Sequence, residues 1–506
     1  MVRPLLIAAC AAVALVTAMP GAAQPSAAAT SQAYVPRKVV TSHVGVFGGR
    51  KVNYVATAGE TILSDPKGAP AATIFAFSYV EKSATDARPV VFVFNGGPGS
   101  SSIWLHMGML GPRKVDFPDP VRPPTTAPFK IADNPLSLLD IADLVFIDPV
   151  GTGYSRLLPG GKAEDFYGVA QDARATSDFI QAWLTQNKRW NSPKFVMGES
   201  YGAVRAAVLA NTLMGGPFST GTLSAVSLDG VLILGPSFEP GAGVKGDDRA
   251  YLNNLPTMAA TAWRHGKIAR DGRSPESVAG EARAFVASDY VRALYAGNSL
   301  PPAERVRIGE RLAELTGLPT KTWLETDLRM SMGEFSAALL KDEGLALGAY
   351  DARYTLPLAA SGGDPVADDP AMGQYTPGFV AAFNTYAQNE LKVEEAGRYQ
   401  AIVFADINSR WNWGAGPGTL VPHNYGVDLA AAMRRNPSMR VFIGAGYYDL
   451  VTTFGAAEYT ARHSGLAPER LTLKTYASGH MPYLGDESAA LLAADVRAFI
   501  HAATPQ

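Results

Sequence analysis

The pentad Gly198-Glu199-Ser200-Tyr201-Gly202 sets a serine between glycines at the junction of two unlike segments. Before it runs the apolar stretch Lys194-Phe-Val-Met197, which reads as a strand. After it come good helix formers, Ala203-Val-Arg-Ala-Ala-Val-Leu-Ala210. In this context G-x-S-x-G predicts a nucleophile elbow, a tight turn that holds the serine hydroxyl clear of a sheet. The helix that follows offers free N–H groups and a positive potential where an oxyanion would develop. A serine hydroxyl is a weak nucleophile, so it needs a base. A base that turns cationic needs an anion to orient it.

The elements that must position these groups are legible as apolar runs. Pro89–Phe94 ends at Asn95-Gly-Gly-Pro-Gly99, and Ala142–Ile147 ends at Asp148-Pro-Val-Gly-Thr-Gly153. Lys194–Met197, Val226–Leu234 and Arg440–Gly444 complete the set. Strands without polar alternation are buried on both faces, as in a parallel sheet covered by helices. Helix-like stretches such as Ala170–Gln186 and Tyr201–Met214 lie between them, which predicts an α/β fold. Upstream, Lys51–Ala56 and Thr73–Val80 read as antiparallel strands. From about 246 to 400 the strand signals fade and helix signals replace them. Ser274-Pro275 is an N-cap followed by proline, and Ile308, Leu312 and Leu315 keep helical spacing up to a stop at Gly317. The expected architecture is an α/β-hydrolase core over 37–245 and 401–506, interrupted by a helical cap at 246–400. A terminal amphipathic helix is expected over about 486–501.

In that fold the chain order is serine, acid, histidine. Seven histidines are present, and the order test removes His43 and His106. His265 and His423 fall in the insertion and its exit, while His463 and His501 fall on exposed helix faces. His480, in the loop Tyr476-Ala-Ser-Gly-His-Met-Pro482, is the expected base. Asp449, directly after the Arg440–Gly444 strand, is the expected acid, ahead of Asp406 and Asp428. The Asn95–Gly99 loop follows the first parallel strand, where the fold supplies a second oxyanion donor.

Composition narrows the class. A net charge of −2 offers no nucleic-acid surface or polybasic membrane patch. Arg3 is the only charge before Arg37, and Leu5–Val16 is almost unbroken apolar sequence. This is the layout of a signal peptide over 1–23, followed by a disordered lead-in over 24–36. The expected location is therefore exported, periplasmic or secreted. Ile7-Ala-Ala-Cys10 resembles a lipobox, but ordinary cleavage accounts better for an apolar run that continues past Cys10. Cys10 is the only cysteine, so a processed chain would have no disulfide, thiol nucleophile or cysteine metal site. No metal or cofactor is expected.

Four segments, in order, resemble the serine carboxypeptidases, peptidase family S10. They are Asn95-Gly-Gly-Pro-Gly-Ser-Ser-Ser102, Asp148-Pro-Val-Gly-Thr-Gly-Tyr-Ser155, Gly198-Glu-Ser-Tyr-Gly202 and Gly479-His-Met481. The resemblance implies an exopeptidase that acts on peptides with a free C-terminus through an acyl-enzyme on Ser200. It implies Ser200, Asp449 and His480 as the triad and the N–H groups of Gly97 and Tyr201 as the oxyanion hole. Asn95, Gly96 and Glu199 would bind the substrate's C-terminal carboxylate. Glu199 can donate only when protonated, so binding should weaken as it ionises. The family's second glutamate, which shares a proton with the first, is replaced by Met109, leaving desolvation alone to raise the pKa of Glu199. Phe94 stands for the family's usual tryptophan and Ser100 for a cysteine, changes that suit a bacterial-type member. Another α/β-hydrolase, whether esterase, acyltransferase or proline iminopeptidase, stays open on the residues alone, as does a binding protein on an inactive hydrolase scaffold.

Overall fold

The computed structural model describes residues 34–504 apart from 66, 222, 241–245, 361, 395–396 and 421. The expected signal peptide and nearly all of the lead-in lie outside the described residues.

Nine strands form the spine of one sheet. They are β1 (Lys38–Phe47), β2 (Arg50–Ser64), β3 (Pro70–Glu81), β4 (Val90–Phe94), β5 (Asp143–Asp148), β6 (Lys194–Glu199), β7 (Gly230–Leu234), β8 (Arg440–Gly446) and β9 (Leu471–Tyr476). Their spatial order is β1-β2-β3-β5-β4-β6-β7-β8-β9, and the short strand Arg156–Leu157 pairs with β3 outside this path. β1, β2 and β3 are antiparallel, as is the β3–β5 pair, whereas every pair from β5 to β9 is parallel. The exchange of β4 and β5 in the order, with the serine turn after β6, is the α/β-hydrolase arrangement.

The absence of polar alternation in β4 to β7 has a direct structural cause. Alternate residues of each strand enter two different cores, one on each face of the sheet. Val91, Val93, Leu144, Phe146, Phe195, Met197, Leu232 and Leu234 join one core with Leu492, Val496 and Phe499 of the terminal helix Asp486–Ala503. Val90, Phe92, Phe94, Val145, Ile147, Val196, Val231 and Ile233 join the other, against the helices Val169–Asn187 and Gly202–Leu213. The edge strands differ. β1 is exposed at every second residue, and β9 carries the sequence Leu-Thr-Leu-Lys-Thr-Tyr with only Tyr476 fully buried. The sequence reading did not anticipate β9, because an edge strand needs no apolar run.

The segment between β7 and β8 is largely helical and divides into two parts by packing. Helices Arg249–Arg264, Pro275–Phe285 and Pro302–Thr316 share their own core around Leu255, Met258, Ile308, Leu312 and Trp323. Ser274 accepts from the Ser277 N–H in a capping box, and Gly317 ends the third helix with a left-handed φ of 71°. The helix Met372–Asn389 instead sends Phe379, Phe383 and Tyr386 into the core shared with the sheet. Between the two parts a hairpin, Leu345–Leu347 with Thr355–Pro357, presents Tyr350–Arg353 at its tip. No helix among the described residues is long and apolar enough to cross a membrane.

Candidate active site

Ser200 occupies the turn between β6 and the helix Gly202–Leu213, with a left-handed φ of 61°. A non-glycine residue in that region is strained, and the surroundings hold it there. Its N–H donates to Leu234 O at 3.0 Å and its carbonyl accepts from Ala203 N at 2.8 Å. Glycine is required at two flanking points. A Cβ on Gly198 would stand 2.1 Å from Gly202 O, and one on Gly96 would stand 2.4 Å from Tyr201 N. The second of these lets the Asn95–Gly99 loop lie directly against the serine turn.

His480 and Asp449 come from the loops after β9 and β8. His480 Nδ1 and Asp449 Oδ2 are 2.8 Å apart, and both side chains are buried. The remaining carboxylate oxygen, Oδ1, accepts from the N–H groups of Val451 and Thr452. Burial works against the His480 imidazolium, but the Asp449 carboxylate, helped by Glu199, outweighs it and raises the histidine above its ordinary pKa. Thr452 completes this pair. Its hydroxyl lies 2.6 Å from Asp449 Oδ2, 3.0 Å from His480 Nδ1 and 2.9 Å from Gly235 O. The ring of Tyr350 meets the imidazole edge-on at 5.4 Å.

The hairpin tip fastens both loops. Tyr350 O accepts from His480 N at 2.6 Å, Leu450 N donates to Ala349 O, and Ala352 N donates to Tyr448 O. Arg353, buried and paired with Asp351, donates to Ala477 O, Ser478 Oγ and Leu484 O.

On the other side of Ser200, Asn95 Nδ2 donates to Glu199 Oε1 at 2.7 Å, while Asn95 Oδ1 accepts from Leu105 N at 3.1 Å. The second bond fixes the orientation of the amide. Burial pushes the Glu199 carboxyl up to about 7, against the lowering effects of His480, Tyr483 and Asn95. Met109 is buried, and it borders a small cavity of about 50 Å³ together with Tyr483. Beneath the loop, Arg205 donates to Asp172 Oδ2 at 2.7 Å and to Asn95 O at 2.5 Å, and lies over the rings of Phe94 and Tyr201. One buried guanidinium therefore ties the Asn95 loop to the helix that follows Ser200.

Asn95, Gly96, Gly97, Glu199, Ser200, Tyr201 and His480 all line one cavity of about 470 Å³. Thr452 lines it too, and Asp449 stands behind His480. The competing residues lie elsewhere. Asp406 is exposed beside Arg410, Asp428 bonds Asn211, and His463 and His501 are exposed. His265 contacts Ala352 O, His423 is exposed, His43 bonds Thr41, and His106 is buried against Tyr79 and Phe146. Among the described residues no group of three or more His, Cys, Asp or Glu side chains is placed to hold a metal ion. Four residues escaped sequence reasoning: Thr452, Tyr350, Arg353 and Tyr483. Only Tyr483 had a local signal, its position three residues after His480.

Residues 68–271, which include the Asn95 loop and the Ser200 turn, match the family described as serine carboxypeptidase. A serine carboxypeptidase of Caenorhabditis elegans is 30% identical over 139 residues, 27% of this chain and 22% of that protein. Serine carboxypeptidase-like 20 of Arabidopsis thaliana is 28% identical over 160 residues, 31% of each chain. Carboxypeptidase Y homolog A of Paracoccidioides lutzii is 27% identical over 143 residues, 28% of this chain and 23% of that protein. The chain thus spans less than a third of the length of these serine carboxypeptidases. Among solved structures, a proline iminopeptidase of Mycobacterium smegmatis aligns over 92% of this chain and all of its own, at 15% identity and a TM-score of 0.34. A carboxyl esterase of Bacillus coagulans aligns over 88% of this chain and 98% of its own, at 12% identity and a TM-score of 0.37.

Proposed function

We propose that this chain is a serine-type carboxypeptidase that releases residues from the C-terminus of peptides through an acyl-enzyme on Ser200. The observation that carries the reading is the Asn95–Glu199 pair beside Ser200 and His480 in one cavity. A triad alone serves any acyl transfer. A buried amide joined to a carboxyl that stays neutral up to about pH 7 adds two donors suited to a terminal carboxylate.

In this reading Ser200 Oγ attacks the scissile carbonyl carbon while His480 Nε2 takes its proton. The N–H groups of Gly97 and Tyr201 receive the oxyanion, a contribution of roughly 100-fold or more per donor. The imidazolium, oriented by Asp449, then gives the proton to the leaving nitrogen, and the C–N bond breaks to free the terminal residue. Water attacks the ester as His480 takes its proton, the bond to Oγ breaks, and Ser200 recovers its hydrogen. Asn95 Nδ2, with one hydrogen on Glu199, has a second for the substrate carboxylate, and protonated Glu199 adds another.

The domain plan that accompanies this reading keeps 37–245 and 401–506 as catalytic core with 246–400 inserted. An exported location, with removal of the apolar leader over 1–23, is part of the same proposal and rests on the sequence of that leader. The direct test is to digest one peptide as free acid and as C-terminal amide. Stepwise loss of residues from the acid only is expected, and equal cleavage of both overturns the reading. Labelling by a fluorophosphonate should vanish in Ser200→Ala.

A further inference from the structure

Glu199 and Tyr483 are both buried, and each keeps an oxygen without a hydrogen-bond partner among the described residues. Glu199 Oε1 is satisfied by Asn95, but Oε2 is not, and neither is the Tyr483 hydroxyl. Buried polar atoms are nearly always paired, so two orphans in one site need a reason. The Tyr483 hydroxyl faces the Glu199 carboxyl and Asn95. Its ring has room only because residue 108 is glycine, where a Cβ would stand 2.6 Å from Tyr483 Cε2. The loop that carries it is pinned by Ser478 Oγ to Met481 O and Leu484 O, and by Arg353 to Leu484 O. The hydroxyl is thus held beside a carboxyl it does not fully engage.

A tyrosine here can act in one direction only. Burial, reinforced by Glu199, keeps the Tyr483 proton on its oxygen well above the ordinary tyrosine range. As an O–H donor it favours ionised Glu199, whose Oε2 would accept, and offers less to neutral Glu199, whose Oε2 carries the proton. The other groups acting on Glu199 are His480 and Asn95, which favour its charged form, and Asp449, which opposes it. Tyr375 also bears on Tyr483.

We propose that Tyr483 is a positioning residue whose hydroxyl sets the pH at which Glu199 gives up its proton, and with it the upper pH limit of carboxylate binding. This rests on the carboxypeptidase reading above. The test measures KM across pH for a blocked dipeptide acid and its amide, in wild type, in Tyr483→Phe, and with a ring-fluorinated tyrosine at 483. The acid's KM should rise as Glu199 ionises. Removing the hydroxyl should move that midpoint up by about one pH unit, and the fluorinated ring, a stronger donor of the same shape, should move it down. The fluorinated protein decides the matter if Tyr483→Phe does not fold. Acid–amide discrimination with an unmoved or oppositely moved midpoint overturns the assignment of Tyr483 alone. No discrimination in wild type overturns the carboxypeptidase reading and this inference together.

Discussion

Asn95 Nδ2 donates to Glu199 Oε1 at 2.7 Å, leaving Glu199 one oxygen to carry a proton or a charge. Burial raises that carboxyl to about 7, so it is neutral below this pH and anionic above it. A neutral carboxyl donates to a substrate carboxylate, whereas an anionic one repels it. KM for a free-acid peptide should therefore be flat at acidic pH and climb above about pH 7. In Glu199→Gln, an amide replaces the neutral acid with a permanent donor, and the climb should disappear. Steady-state kinetics from pH 5 to 9 check both, the range being roughly two units either side of the expected midpoint.

Thr452 stands at the junction of Asp449 and His480. Its single hydroxyl hydrogen can reach Asp449 Oδ2 or Gly235 O, and its oxygen lies 3.0 Å from His480 Nδ1. Thr452→Val keeps the shape and deletes the bonds. The expected loss is about 1–2 kcal/mol of transition-state stabilisation, a fall in kcat/KM of about 5- to 30-fold. The rate of fluorophosphonate labelling of Ser200 should fall with it, since in the proposed mechanism that reaction uses the same base.

Where the sequence was legible, the cause was local. The strands that carry Asn95 and Glu199 read clearly because both faces are buried, and the Ser200 turn read clearly because its glycines are sterically required. Thr452 and Arg353 left no such trace. Their roles depend on contacts between loops 28 and 125 residues apart, which no window of sequence spans. The division of the segment between β7 and β8 into two packing units was hidden for a similar reason. Helix Met372–Asn389 has an ordinary amphipathic pattern, and nothing in it states that Phe379 and Phe383 meet the sheet and not the helices before it.

The Asp351–Arg353 pair ties the segment between β7 and β8 to the loop that bears His480. Both side chains are buried, and the guanidinium holds three points of the loop that bears His480. Arg353→Met should leave Asp351 as an unpaired buried carboxylate, at a cost of about 3–5 kcal/mol. Chemical denaturation should record that loss, and adding Asp351→Asn should recover part of it. Activity should recover less than stability in the double variant, because the bonds to Ala477, Ser478 and Leu484 stay broken.

Side-chain preference follows from the cavity wall. Glu199 and His480 are the only acid and base side chains among its described lining residues, and Trp104, Tyr350, Tyr375, Phe404, Trp413 and Met481 supply broad apolar surface. An ionised substrate side chain placed there would lose hydration without gaining a counter-charge. A buried aromatic or aliphatic side chain gains about 1.5–3 kcal/mol. Peptides with Phe, Leu or Met on both sides of the terminal bond should exceed those with Lys, Arg, Asp or Glu there by about 10- to 100-fold in kcat/KM. Competition digests with mass-spectrometric readout of the released residues measure the ratio. If basic or acidic terminal residues are released as fast as apolar ones, the cavity wall does not select the substrate.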